Sequence, residues 1–166
     1  MDVDEAIRAR RTVKDLRDEP VSADVLAELL DLAVQAPNHH LTEPWRFWVI
    51  GKQTIARHVE ATGDKKLTRS QSAIVVGMVV NDDERVAHED EAACSAAIQN
   101  IMLGAYARGY ASYWRTPGVF HLEAFATVIG ADRATRFIGL IHLGTPRTAF
   151  PPAPSRSADP FTTWLA

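Results

Sequence analysis

Two short runs of the chain carry side chains that could hold a polar or charged ligand. Arg10-Arg11-Thr12 and Lys14 place three cations and a hydroxyl within five residues. Two guanidiniums and a hydroxyl near a helix end can close bidentate, charge-assisted hydrogen bonds on a phosphate. By itself such a cluster is more often a solvated basic turn. The second run, residues 36–50, sets an amide and two imidazoles (Asn38, His39, His40) between Pro37 and Pro44. Their donors and acceptors suit an oriented polar ligand better than an apolar core, although a structural turn with surface histidines has the same composition. Trp114-Arg115-Thr116 ends a strand-like run with an indole, a guanidinium and a hydroxyl.

Other chemistries find less support. The glycines at 104, 109, 118, 139 and 144 form no G-x-G-x-x-G, and there is neither a P-loop nor a G-x-S-x-G elbow. Cys94 sits in the apolar middle of a helical segment, a poor setting for a reactive thiolate. His39-His40 and the cluster His88-Glu89-Asp90-Glu91 supply metal-ligand types without H-E-x-x-H or clustered Cys/His spacing. Cations, amides, imidazoles and indoles remain, with no nucleophile and no paired acid. That pattern fits a protein that holds a planar, phosphorylated cofactor which carries the chemistry.

The elements that must position these groups follow from periodicity. Residues 2–10 read as a short helix, and Ser22 as the N-cap of a second whose stripe is Val25, Leu26, Leu29, Leu30, Ala33 and Val34. The prolines should end that helix near Gln35 and push Ala36 and Glu43 toward extended geometry. Residues 45–50 are aromatic and β-branched and predict a strand. A helix over 54–61 closes at Gly63, and residues 65–72 read as polar and exposed. Residues 73–80 predict a strand buried on both faces. The longest helix spans 89–108, with Asn81-Asp82-Asp83-Glu84 turning into it and Gly109 closing it. Its middle has no wide polar face, so one sheet cannot cover it, and a subunit interface accounts for the other side. Strands over 111–116 and 136–144 flank a short helix over 122–129. The proline-rich segment 146–166 ends in Phe161-Thr162-Thr163-Trp164-Leu165, too apolar for a free end.

With 166 residues and 46% apolar composition, the chain suits one soluble domain with a sizeable core. A net charge of −3 with interspersed signs gives no broad basic field for nucleic acid. No apolar run is long enough to cross a bilayer and no N-terminal signal pattern is present, so a cytoplasmic location is the default expectation.

The order of motifs resembles the FMN-dependent nitroreductase family in its short single-domain form. The shared features are Arg10-Arg11-Thr12 with Lys14, then Ala36-Pro37-Asn38-His39 through Pro44-Trp45-Arg46-Phe47-Trp48-Val49-Ile50. Gln99-Asn100 on the long helix, Trp114-Arg115-Thr116 and Leu143-Gly144-Thr145-Pro146 follow in order. The match runs from about Ile7 to Pro146. The resemblance implies an α+β fold, three-layer α/β/α with a small, mainly antiparallel central sheet, and one FMN-binding domain over 1–166 with a C-terminal arm (146–166) wrapping a partner chain. It implies a homodimer with FMN at the interface. Arg10, Arg11 and Thr12 would hold phosphate and ribityl oxygens, with Lys14 toward the pyrimidine edge and Trp114, Arg115 and Thr116 completing that side. Gln35 and His39 would reach the cofactor from the partner. The activity implied is NAD(P)H-dependent reduction of nitroaromatics, quinones or similar acceptors by ping-pong hydride transfer. The alternative is an FMN-binding storage or sensor protein without turnover. Larger members carry an inserted helical segment for which this chain has no room. Arg147 and Arg156 are its only basic residues after the last strand that could meet the phosphate.

Overall fold

The structure, a computed structural model, describes residues 2–121 and 123–165. Its centre is an antiparallel sheet of four strands in the order β1-β2-β4-β3. These are β1 (Trp45–Gly51), β2 (Ser72–Val79), β3 (Ala111–Arg115) and β4 (Thr135–Gly144). Five α-helices are present among the described residues: α1 (Val3–Ala9), α2 (Ala23–Ala33), α3 (Lys52–Thr62), α4 (Glu84–Ala107) and α5 (Glu123–Ile129). The α+β expectation holds, and the small central sheet is antiparallel throughout.

The all-apolar run of β2 is explained by its place between two cores. Ile74, Val76 and Met78 face the cluster built with α2 and α4, while Ala73 and Val75 face the cluster with Ile55 of α3 and Phe125 of α5. A period of two serves both faces, so every position must be apolar. A register shift between Val76 and Gly77 adjusts β2 against β4. There a Cβ at Gly77 would lie 2.8 Å from Thr135 Cγ2 and 3.1 Å from the Trp48 ring.

Helix boundaries follow their caps. Ser22 Oγ accepts from Val25 N at the start of α2, as its position suggests. Gly63, Gly109 and Gly130 take left-handed φ after α3, α4 and α5. Residue 122, the expected first residue of α5, lies outside the described residues. The long helix begins five residues before the expected Glu89, because Asp83 Oδ1 accepts from Arg85 N and Val86 N and caps it at Glu84. Residues 65–72 are less exposed than their polarity suggests. Leu67 is buried, and Ser70 turns inward to donate to Ser72 O and meet His142 Nδ1 at 2.7 Å.

The second side of α4 is covered in part from within the chain. At Gly104 a Cβ would stand 2.6 Å from Leu32 Cδ1 and 3.0 Å from Leu29 Cδ2, so glycine is what lets α2 approach. Asn100 Nδ2 donates to Leu32 O, and Arg108 Nε donates to Glu28 Oε2 at 2.8 Å. Ala92 remains exposed, and Ala96, Gln99 and Leu103 are half-buried. Beyond β4 the described residues form no helix or strand except a 3-10 turn at Asp159–Phe161, and Phe161, Trp164 and Leu165 are about nine-tenths exposed.

Candidate functional site

The segment after α1 is tied to the edge strand of the sheet. Thr12 forms a parallel bridge with Ser112, Val13 N donates to Ser112 O, and Val13 is buried beside Ala111. This brings Arg10-Arg11-Thr12 alongside β3, the strand that runs into Trp114, Arg115 and Thr116. Lys14, next in line after buried Val13, is exposed.

Arg8, Arg10, Arg11 and Thr12 line a cleft of about 840 Å³ with Ile7 and the returning C-terminal segment, including Ser155 and Arg156. Four guanidiniums therefore share one cleft, and none of them pairs with a carboxylate within 4 Å among the described residues. Burial, and secondarily the charge of Arg11, push Arg10 below its ordinary value. Arg11 Nε is buried without a hydrogen-bond partner among the described residues, while its Nη1 donates to Arg10 O. Crowded cations with a spare donor favour a dianion, whose binding would relieve both the repulsion and the unmade bond. Arg156, which its sequence context left open, is on this cleft. Arg147 is instead bonded to Asp15 at 3.2 Å. No local periodicity marks Arg156 within the proline-rich arm, so only the path of the chain reveals it.

Trp114 crosses the sheet on its α4 side. A Cβ at Gly139 would sit 2.2 Å from Trp114 Nε1 and 2.8 Å from Ile98 Cδ1, so the indole lies directly over bare backbone. It is 40% exposed, which leaves part of its ring system free. On the opposite face, Tyr113 stacks on buried His142 with centroids 4.5 Å apart. Burial, followed by the charges of Arg115 and Arg69, holds His142 down at about 3. The strand carrying Trp114-Arg115 is thus fixed from both sides.

Gln35 and His39 do not line the arginine cleft of the same protomer. Gln35 lines a separate groove of about 360 Å³ with Val3, Ala6, Leu32, Asn100 and Gly104. His39 lies in a 3-10 turn (His39–Leu41) against α4, its Nδ1 2.7 Å from Glu89 Oε2. The hydrogen bond from His39 holds Glu89 below the usual carboxylate range. Glu43 corrects one expectation: with φ of 47° it is left-handed, not extended. Its N–H donates to Asn38 Oδ1 at 3.1 Å, a local bond that outweighs the steric bias before Pro44. His40 and Leu41 are left-handed as well, with φ of 57° and 52°, and each such non-glycine residue costs about 1–2 kcal/mol.

The other candidate chemistries have a physical account here. Burial first, with Asp90 and Glu91 adding to it, pushes the Cys94 thiol up to about 12, so it carries no thiolate near neutrality. No helix among the described residues is long and apolar enough to cross a membrane.

Known proteins share this fold. The sequence profile of the Nitroreductase family matches residues 7–73 and 53–145. The Bacillus subtilis (strain 168) protein YfhC, provisionally named an NAD(P)H nitroreductase, is 29% identical over 162 residues, covering 86% of this chain and 84% of that protein. The crystal structure of a nitroreductase-like family protein from Bacillus cereus superimposes with a TM-score of 0.83 at 27% identity, covering 99% of this chain and 96% of that one. A nitroreductase with bound FMN from Desulfitobacterium hafniense DCB-2 superimposes at 0.74 with 20% identity over 98% of this chain and 97% of that one, a likeness of fold.

Proposed function

Because the chain belongs to the Nitroreductase family and is a nitroreductase-type oxidoreductase, we propose that it binds FMN and uses NAD(P)H to reduce nitroaromatics, quinones or similar acceptors in a ping-pong cycle. The observation that carries this reading is the cleft of unpaired arginines beside β3. A terminal phosphate dianion is the group that Arg10, Arg11 and Arg156 suit, with Thr12 supplying a hydroxyl. A cleft of about 840 Å³ is in the range of cofactor sites.

Bound FMN supplies hydride exchange with a nicotinamide and with an oxidised acceptor. The chain's own residues bind and orient. Lys14 brings a positive charge toward the pyrimidine edge, where negative charge accumulates on reduction. Trp114, Arg115 and Thr116 give the end of β3 as a rigid wall. Gln35 and His39, which stand off the arginine cleft of their own protomer, serve the site of a second copy, so the working form is a homodimer. The arm from residue 146 lies over that partner and buries Phe161, Trp164 and Leu165, which are bare in one protomer. No side chain of the site needs to act as a general acid or base.

Steady oxidation of NADH or NADPH by purified protein, with menadione or a nitrofuran as acceptor, tests the reading. Initial rates varied in both substrates should give parallel double-reciprocal lines. A protein that takes up FMN yet sustains no turnover with either nucleotide would overturn the catalytic cycle.

A further inference from the structure

The loop that carries His39 is bonded to two consecutive carboxylates of α4. We propose that Glu89 and Asp90 are positioning residues that aim His39 at the cofactor, an inference that rests on the FMN reading above. Three non-glycine residues in the left-handed region within four positions are not adopted by a free surface turn. Nor is the strain offset by burial, since Leu41 is 79% exposed. What holds the loop is a set of directed bonds. Thr42 Oγ1 donates to Asp90 Oδ1 at 2.5 Å, His39 Nδ1 meets Glu89 Oε2 at 2.7 Å, and Glu43 N donates to Asn38 Oδ1. The His40 ring stacks on His39 at 3.8 Å and fixes its plane.

Asp90 makes the point sharper, because it is only 3% exposed. Withdrawing a carboxylate from water is costly unless it is hydrogen-bonded, so Asp90 holds the Thr42 hydroxyl, and with it the loop, in place. Glu89 adds the chemistry. With Nδ1 committed to the carboxylate, Nε2 is the one imidazole nitrogen left to meet a ligand, and the ring's direction is set. The pair of acids thus converts a strained loop into a fixed presentation of one ring nitrogen.

The test measures FMN affinity of the apo-protein by quenching of flavin fluorescence, with melting temperature and dimer mass recorded for each variant. Glu89→Ala and Thr42→Val should each weaken FMN binding roughly tenfold, the loss of one charge-assisted bond. Thr42→Ser, which keeps the hydroxyl, should restore it. Because Glu89 acts through His39, Glu89→Ala/His39→Ala should bind FMN no more weakly than His39→Ala alone. Should Thr42→Val fail to fold, the Glu89/His39 cycle decides. Wild-type affinity in Glu89→Ala and Thr42→Val, or additive losses in the double variant, would overturn the inference while leaving the FMN reading intact. A parent protein that takes up no FMN overturns both.

Discussion

Gly139→Ala probes how the sheet supports the proposed site. The new methyl carbon would lie 2.2 Å from Trp114 Nε1 and 2.8 Å from both Trp114 Cδ1 and Ile98 Cδ1. Non-bonded heavy atoms settle near about 3.5 Å, so the indole must withdraw by roughly 1 Å to clear both its Nε1 and its Cδ1 contacts. Trp114 is 40% exposed and has solvent to move into, so the strand need not buckle. Overpacking of this kind costs about 1–3 kcal/mol. Replacing glycine also restricts the unfolded chain, which returns about 0.4–1 kcal/mol. The net expectation is a loss of about 1–2 kcal/mol with an unchanged urea m-value. FMN affinity should fall with it if, as proposed, the displaced ring forms part of the site's wall. Urea unfolding and flavin titration of Gly139→Ala, Trp114→Ala and the double variant separate the causes. With the indole gone, the alanine should cost about 1 kcal/mol less and lower FMN affinity no further. An equal cost in both backgrounds would refute the argument, since the clash would then not be with Trp114.

Three further outcomes are expected. His142 is held at about 3 in the fold against an ordinary value of 6.5, so the unfolded chain binds its proton first; stability should be full above about pH 6.5 and fall as pH drops toward 3, by up to about 1.4 kcal/mol per pH unit from this residue. Urea titrations of His142→Phe across that window should lack its share of the slope. Arg156→Ala should weaken FMN binding about tenfold or more while leaving riboflavin binding unchanged, as measured by calorimetry, if the arm's guanidinium meets the phosphate. Arg10→Ala and His39→Ala homodimers, each deficient, should regain about a quarter of wild-type activity when refolded together, because half the dimers are mixed and each has one intact site of two; no rescue in heterodimers verified by mass spectrometry would put both residues in one chain's site.

Much of the fold was legible because its signals are local. The both-face apolar run of β2, the Ser22 cap and the closing glycines each declare themselves within a few residues. The Arg10-Arg11-Thr12 cluster was legible as chemistry and, with Trp114-Arg115-Thr116, as a family resemblance; the structure pairs Thr12 with Ser112, two residues before Trp114, and lines the cleft with Arg10, Arg11 and Thr12 but not with residues 114–116. What was not legible depends on distant contacts. The inward turn of Ser70 needs His142, which is 72 positions away. The left-handed Glu43 needs the Asn38 amide, and the rule for residues before proline points the other way. Arg156 reaches the cleft only because the arm folds back past α1. The indole over Gly139 joins two strands whose pairing the sequence does not state.

The central claim is that the arginine cleft holds the phosphate of FMN, and a side-by-side calorimetric titration of the apo-protein with FMN and riboflavin tests it most directly. The two ligands differ only in that phosphate. FMN should bind at least about a hundredfold more tightly than riboflavin, as expected for several charge-assisted bonds, and Arg10→Ala/Arg11→Ala/Arg156→Ala should bring FMN down to the affinity of riboflavin. Equal affinity for the two ligands, or no flavin bound at all, would contradict it.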